Sequence, residues 1–134
     1  MKDVDDGKVV FASGPWMDAA RVILERLVAE HGEAGRTFSL CERFNDAPRE
    51  IAPRGFAAWH FRIDGKSASV GSGEIEDADV TITVDYAAVL PGARCVYTPQ
   101  QLAQRPPVGT SRGDLSKAPA YLLELHNRLA LITA

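Results

Sequence analysis

From Ser13 to Gly32, in SGPWMDAARVILERLVAEHG, apolar residues return every three or four positions. Trp16, Ala20, Ile23, Leu24, Leu27 and Val28 fall on one stripe, and Asp18, Arg21, Glu25, Arg26 and Glu30 take the remainder. The spacing predicts a helix from about Pro15 to His31. Ser13 or Gly14 supplies its start, Pro15 suits the first helical position, and Gly32 offers a stop.

The period then changes to two. In TFSLCERFND, Phe38, Leu40 and Phe44 face one way and Thr37, Ser39, Cys41 and Arg43 the other, which predicts a strand. Glu42 falls on the apolar side, where a lone carboxylate is costly unless it is paired or reaches water at the end of the buried face. A solvated strand end or a bulge explains it simply; a polar ligand contact or a general base is the other reading.

After the Pro-punctuated connection APREIAPRG, FAAWHFRIDG sets Ala57, Trp59, Phe61 and Ile63 against Ala58, His60, Arg62 and Asp64. Asp64-Gly65 is a hairpin signal. KSASVGSGE returns with Ala68 and Val70 on one face, and DVTITVD sets Val80, Ile82 and Val84 against Thr81, Thr83 and Asp85. One apolar face per strand predicts an antiparallel sheet of about five strands covered on a single face.

Tyr86 to Leu90 is too short to assign and is closed by Pro91-Gly92. Cys95 to Ser116 reads as loop, with TPQQLAQ a short helix opened by Thr98 and Pro99; loops of this length often form lids or binding edges. SKAPAYLLELHNRLALITA predicts a second amphipathic helix, capped by Ser116, with Ala118, Leu122, Leu125, Leu129 and Ile132 as its stripe and Tyr121 and Leu123 widening it. The fold class is therefore α+β, with an N-terminal and a C-terminal helix on one face of the sheet. Residues 1–134 form a single domain with a polar, partly flexible leader over 1–13.

Composition narrows the function. Apolar residues make up 46% and charged residues 25% of the 134, as in ordinary globular proteins, and a domain of this length can bury a real core. The formal charge of −3 with interspersed signs supplies no basic stripe, which argues against nucleic acid as a partner. The start MKDVDDGK lacks the charge and apolar run of a secretory signal, and no apolar run is long enough to span a membrane, so a cytoplasmic location is expected.

Cys41 and Cys95 are too far apart for a zinc knuckle or redox pair and are expected as free structural thiols. His31, His60 and His126 come from separate elements, none with a second ligand at metal spacing. Neither a phosphate-binding Gly-rich loop nor a serine nucleophile elbow is present. No catalytic set, metal or cofactor is expected.

Three stretches carry a resemblance: WHFRIDG at Trp59–Gly65, DADVTITVD at Asp77–Asp85, and RGDLSKAPAYLLEL with Gly113, Asp114 and Ala118. Their order and separation resemble the sterol carrier protein type-two (SCP2-like) domain family, a small α+β lipid-binding fold, over most of the chain from Pro15 onwards. The chain departs from the family pattern between Leu90 and Arg112, and its end, ITA, is no peroxisomal targeting tripeptide.

The resemblance implies an apolar tunnel between sheet and helices. Trp59, Phe61, Ile63, Val80, Ile82 and Val84 would line its sheet side and Leu122, Leu125 and Leu129 its helix side. A dry core is the alternative use of the same residues. The function expected is binding, carrying or sensing of a small apolar ligand. Two others are weighed: an enzyme using the same pocket, with Glu42, His60 or Cys41 as its reactive group, and a homodimeric or accessory interaction module. Transient membrane contact and a homodimer are both left open. A cone-shaped isomerase fold of similar length is disfavoured by the terminal helix.

Overall fold

The computed structural model describes residues 7–134; the first six residues of the leader lie outside the described residues. In chain order the elements are α1 (Gly14–His31), β1 (Thr37–Asn45), β2 (Phe56–Asp64), β3 (Ser67–Ser72), β4 (Val80–Asp85), α2 (Tyr86–Ala93), α3 (Pro99–Gln104), β5 (Thr110–Gly113), a 3-10 turn (Leu115–Lys117) and α4 (Leu122–Ile132). The helix starts follow local chemistry. Ser13 accepts from the Trp16 amide, with Pro15 in the first turn of α1, and Thr98 and Gln101 form a reciprocal capping box on α3.

The five strands run in the order β3-β2-β1-β4-β5. β1–β2, β2–β3 and β4–β5 are antiparallel, but β1 and β4 are parallel, with Leu40 beside Val80 and Phe44 beside Val84. The expected all-antiparallel sheet is thus corrected to a mixed one. The reason is the connection after β3. Instead of turning back as a hairpin, it crosses from the edge strand to the far side of β1.

That crossing runs over the face expected to be polar. Glu74 pairs with Arg43 at 3.2 Å, Asp77 with Arg62 at 2.7 Å, and Asp79 accepts from the Ser39 amide at 2.8 Å. Ser39, Cys41 and Ala58 are buried there, so the outward face is partly roofed rather than fully wet.

The other face carries the main core. Trp16, Ala20, Leu24, Leu27 and Val28 of α1 pack with Phe38, Phe44, Trp59, Phe61 and Val80 of the sheet and with Leu125 and Leu129 of α4. The Asp64-Gly65 turn closes β2 onto β3, with Gly65 at φ +62°, a conformation glycine adopts without cost.

The leader joins this core as well. Phe11 and Ala12 are buried, the Tyr86 hydroxyl donates to the Phe11 carbonyl at 2.8 Å, and Val9 bridges the far end of the chain at Thr133.

Two segments differ from their expected form. The last helix starts at Leu122, six residues beyond Ser116. Pro119 biases Ala118 toward extended backbone (φ −65°, ψ 135°), so the chain makes a 3-10 turn, breaks and starts again; Asp114, not Ser116, caps that turn. Tyr86 to Leu90, too short to assign from its pattern, begins a helix that runs through Pro91 to Ala93, and Thr110–Gly113, inside the expected loop, is the edge strand β5. The short helix expected at Thr98–Pro99 is present as α3.

Candidate functional site

A cavity of about 240 Å³ lies between the inner face of the sheet and α4. Leu40 and Glu42 of β1 and Trp59 and Phe61 of β2 form its floor, Leu122, Leu125 and Leu129 of α4 its roof. Phe11 and Trp16 close one side, while Val89, Gly92 and Ala93 of α2 contribute with Arg105 and His126 to the other. Alternation along the strands and the three-and-four spacing along α4 aim these side chains at one another.

Of the tunnel residues expected from sequence, Trp59, Phe61, Leu122, Leu125 and Leu129 meet around this cavity. Ile63 instead lines a second, more polar cleft of about 680 Å³ with His31, Phe38, Tyr121 and Glu124. Val80, Ile82 and Val84 lie outside both; Val80 and Val84 are buried against the core and Ile82 is half-buried.

Among the described residues Glu42 is the one acidic group in the cavity wall. Its carboxylate accepts from the Trp59 indole Nε1–H at 2.8 Å, across the register pair that aligns the two residues. The side chain is half-buried and lines the cavity. Burial raises its pKa above the usual carboxylate value, and the indole bond offsets only part of that rise. Its position is thus settled as inward and hydrogen-bonded rather than bulged out to water.

The other two candidate reactive groups do not reach the cavity. Cys41 is buried on the opposite face of the sheet and His60 points to that face, its Nδ1–H donating to the Gly73 carbonyl at 2.9 Å.

His126 and Arg105 were not picked out by sequence reasoning. His126 flanks the Leu122–Leu125–Leu129 stripe, and its place four residues after Leu122 is the signal that could have drawn it in. Its Nε2–H donates to the Cys95 carbonyl at 2.8 Å, and burial lowers its pKa. The adjacent Asn127 exchanges bonds with the Tyr97 backbone at 2.9 and 2.8 Å. The irregular segment is thereby tied to α4. Arg105 lies 5.2 Å over the Tyr97 ring, and it fits because Gly92 has no side chain: a Cβ there would stand 2.3 Å from the guanidinium.

Among the described residues no cluster of His, Cys, Asp and Glu could hold a metal, and no helix is long and apolar enough to cross a membrane. Cys41 and Cys95 are both unpaired.

The fold is that of sterol carrier protein 2. A crystal structure of that protein aligns over 92% of this chain and 99% of its own, with a TM-score of 0.63 at 17% identity. A UbiJ-SCP2 ubiquinone synthesis protein aligns over 95% and 100% with a TM-score of 0.50 at 16% identity. No family model matches the chain, and no curated protein matches it by sequence.

Proposed function

We propose that the protein binds and carries, or senses, a small apolar molecule held between the sheet and α4. The observation that carries this reading is the cavity itself: a well-packed sheet-and-helix sandwich that leaves about 240 Å³ walled by Trp59, Phe61, Leu125 and Leu129. Apolar contact contributes roughly 25 cal/mol per Å² removed from water, so a hydrocarbon body binds there without specific chemistry. The fold shared with sterol carrier protein 2 agrees with this use.

In this reading Trp59, Phe61, Leu122, Leu125 and Leu129 touch the ligand. Ile63 serves the neighbouring cleft, and Val80, Ile82 and Val84 flank the floor on the same face of the sheet. The volume lies just under the roughly 300–1,000 Å³ of drug-sized pockets, which favours a short or medium chain over a bulky ligand. Two unpaired cysteines suit a reducing compartment such as the cytoplasm.

A second reading, an enzyme working in the same cavity, is favoured by the inward carboxyl of Glu42 with its raised pKa. Native mass spectrometry of freshly purified protein, followed by organic extraction, tests both. A stoichiometric apolar adduct recovered intact supports the carrier, and an adduct chemically altered on incubation supports the enzyme. Bare protein that also fails to enhance a panel of uncharged lipid probes overturns both.

A further inference from the structure

Glu42 stands where the alternation of β1 calls for an apolar side chain, between Leu40 and Phe44 on the core face. A carboxyl enclosed in an apolar wall costs folding free energy unless its bonds are filled. It has several hydrogen-bonding positions, and among the described residues only the Trp59 indole occupies one, on Oε1. The side chain lines the cavity. Local departures from the pattern a fold demands concentrate at functional sites.

We infer that Glu42, held by Trp59, is a hydrogen-bonding recognition point on the cavity floor, and that the bound apolar molecule carries a neutral oxygen there, a hydroxyl or a carbonyl. The inference rests on the carrier reading and deepens it by naming the ligand class.

Neutral oxygen fits better than an ammonium for two reasons. An ammonium head would need an ionised Glu42, which the raised pKa opposes. Among the described residues the other charged group in the cavity wall, Arg105, is cationic and repels an ammonium. A protonated carboxyl can donate to a carbonyl or hydroxyl and accept from a hydroxyl.

The test uses the full chain and three eight-carbon probes, 1-octanol, 1-chlorooctane and octylamine, with affinities measured by displacement of an uncharged fluorescent probe. The ratio of 1-octanol to 1-chlorooctane affinity cancels tail burial and isolates the head group. It should fall about tenfold in Glu42→Met and stay within about threefold of the original in Glu42→Gln, which keeps a donor and an acceptor. Should Glu42→Met fail to fold, the native protein decides. Its 1-octanol affinity, corrected for water-to-alkane partition, should exceed that of 1-chlorooctane by about tenfold.

Equal corrected affinities, an unchanged ratio in Glu42→Met, or octylamine as the tightest probe each overturns the inference while leaving the carrier reading intact. Failure of all three probes to bind overturns the carrier reading and the inference together.

Discussion

The Trp59 indole on β2 donates to the Glu42 carboxylate on β1 across 2.8 Å, joining two residues that face each other in the antiparallel register. The acid has a higher pKa in the folded protein than in the unfolded chain, because burial outweighs the indole bond. The native state therefore holds more protons than the unfolded state as pH rises above the ordinary carboxylate range. Stability then falls with rising pH from the unfolded value, about 4.5, through the raised folded value. Glu42→Gln removes that loss and should be the more stable form at pH 8. Urea midpoints from pH 4.5 to 8 check it; parallel curves for the two proteins would exclude it.

Tyr86 and Phe11 make a second tie, from the start of α2 to the leader. The Tyr86 hydroxyl donates to the Phe11 carbonyl at 2.8 Å in a buried setting, and Phe11 itself lines the cavity. Tyr86→Phe leaves that carbonyl unpaired and should cost about 1–3 kcal/mol. Urea denaturation measures the loss. A cost under about 0.5 kcal/mol would mean that the carbonyl has found water or another donor.

How far this arrangement could be read from sequence depended on what the signal was made of. Strand alternation located all four strands from Thr37 to Asp85, and the helical stripe with Ser13 and Pro15 placed α1. Each is a local pattern tied to a single solvent-facing side.

Pairing direction is not local. Val80, Ile82 and Val84 read the same whether β4 lies parallel or antiparallel to β1, so the mixed sheet had no period of its own. β5 has no alternation to show, because Thr110–Gly113 is exposed throughout and held as a strand by its pairing with β4.

At the site, Glu42 stands out in the sequence because it breaks the alternation. Arg105 gave no such sign: its place depends on Gly92 leaving room and Tyr97 offering a ring, both brought there by the fold. Ile63 went to the neighbouring cleft although it shares the face of Trp59 and Phe61, since period two fixes a face but not a position along it.

The end of α1 is pressed against the β2–β3 turn. A Cβ on Gly32 would lie 2.2 Å from the Gly65 carbonyl oxygen and 2.4 Å from that of Val28, and both obstacles are backbone. Gly32→Ala should therefore destabilise by about 1–3 kcal/mol through forced shifts at the turn. Gly14→Ala, where nothing stands within 4 Å, is the control and should be neutral or up to about 1 kcal/mol stabilising. Thermal melts of the two variants side by side decide it, and equal behaviour would show that the helix end moves freely away from the turn.

His126 supplies a pH response opposite in sign to that of Glu42. Burial, the largest influence on it, lowers its pKa in the folded state, with the Arg105 charge acting the same way and the Cys95 carbonyl bond opposing. As pH falls below the unfolded value, about 6.5, the unfolded chain takes a proton that the native state refuses. Stability is thus full above pH 6.5 and is lost as pH falls toward the lowered folded value. His126→Gln keeps a donor for the Cys95 carbonyl and does not titrate, so its deficit against the native protein at pH 7.5 should shrink or reverse at pH 5.5. Because Glu42 contributes a trend of the other sign, the comparison belongs in the Glu42→Gln background, where the histidine is isolated. A deficit independent of pH in that background would show that His126 takes its proton as readily folded as unfolded, and that the wall it shares with Arg105 is open to water.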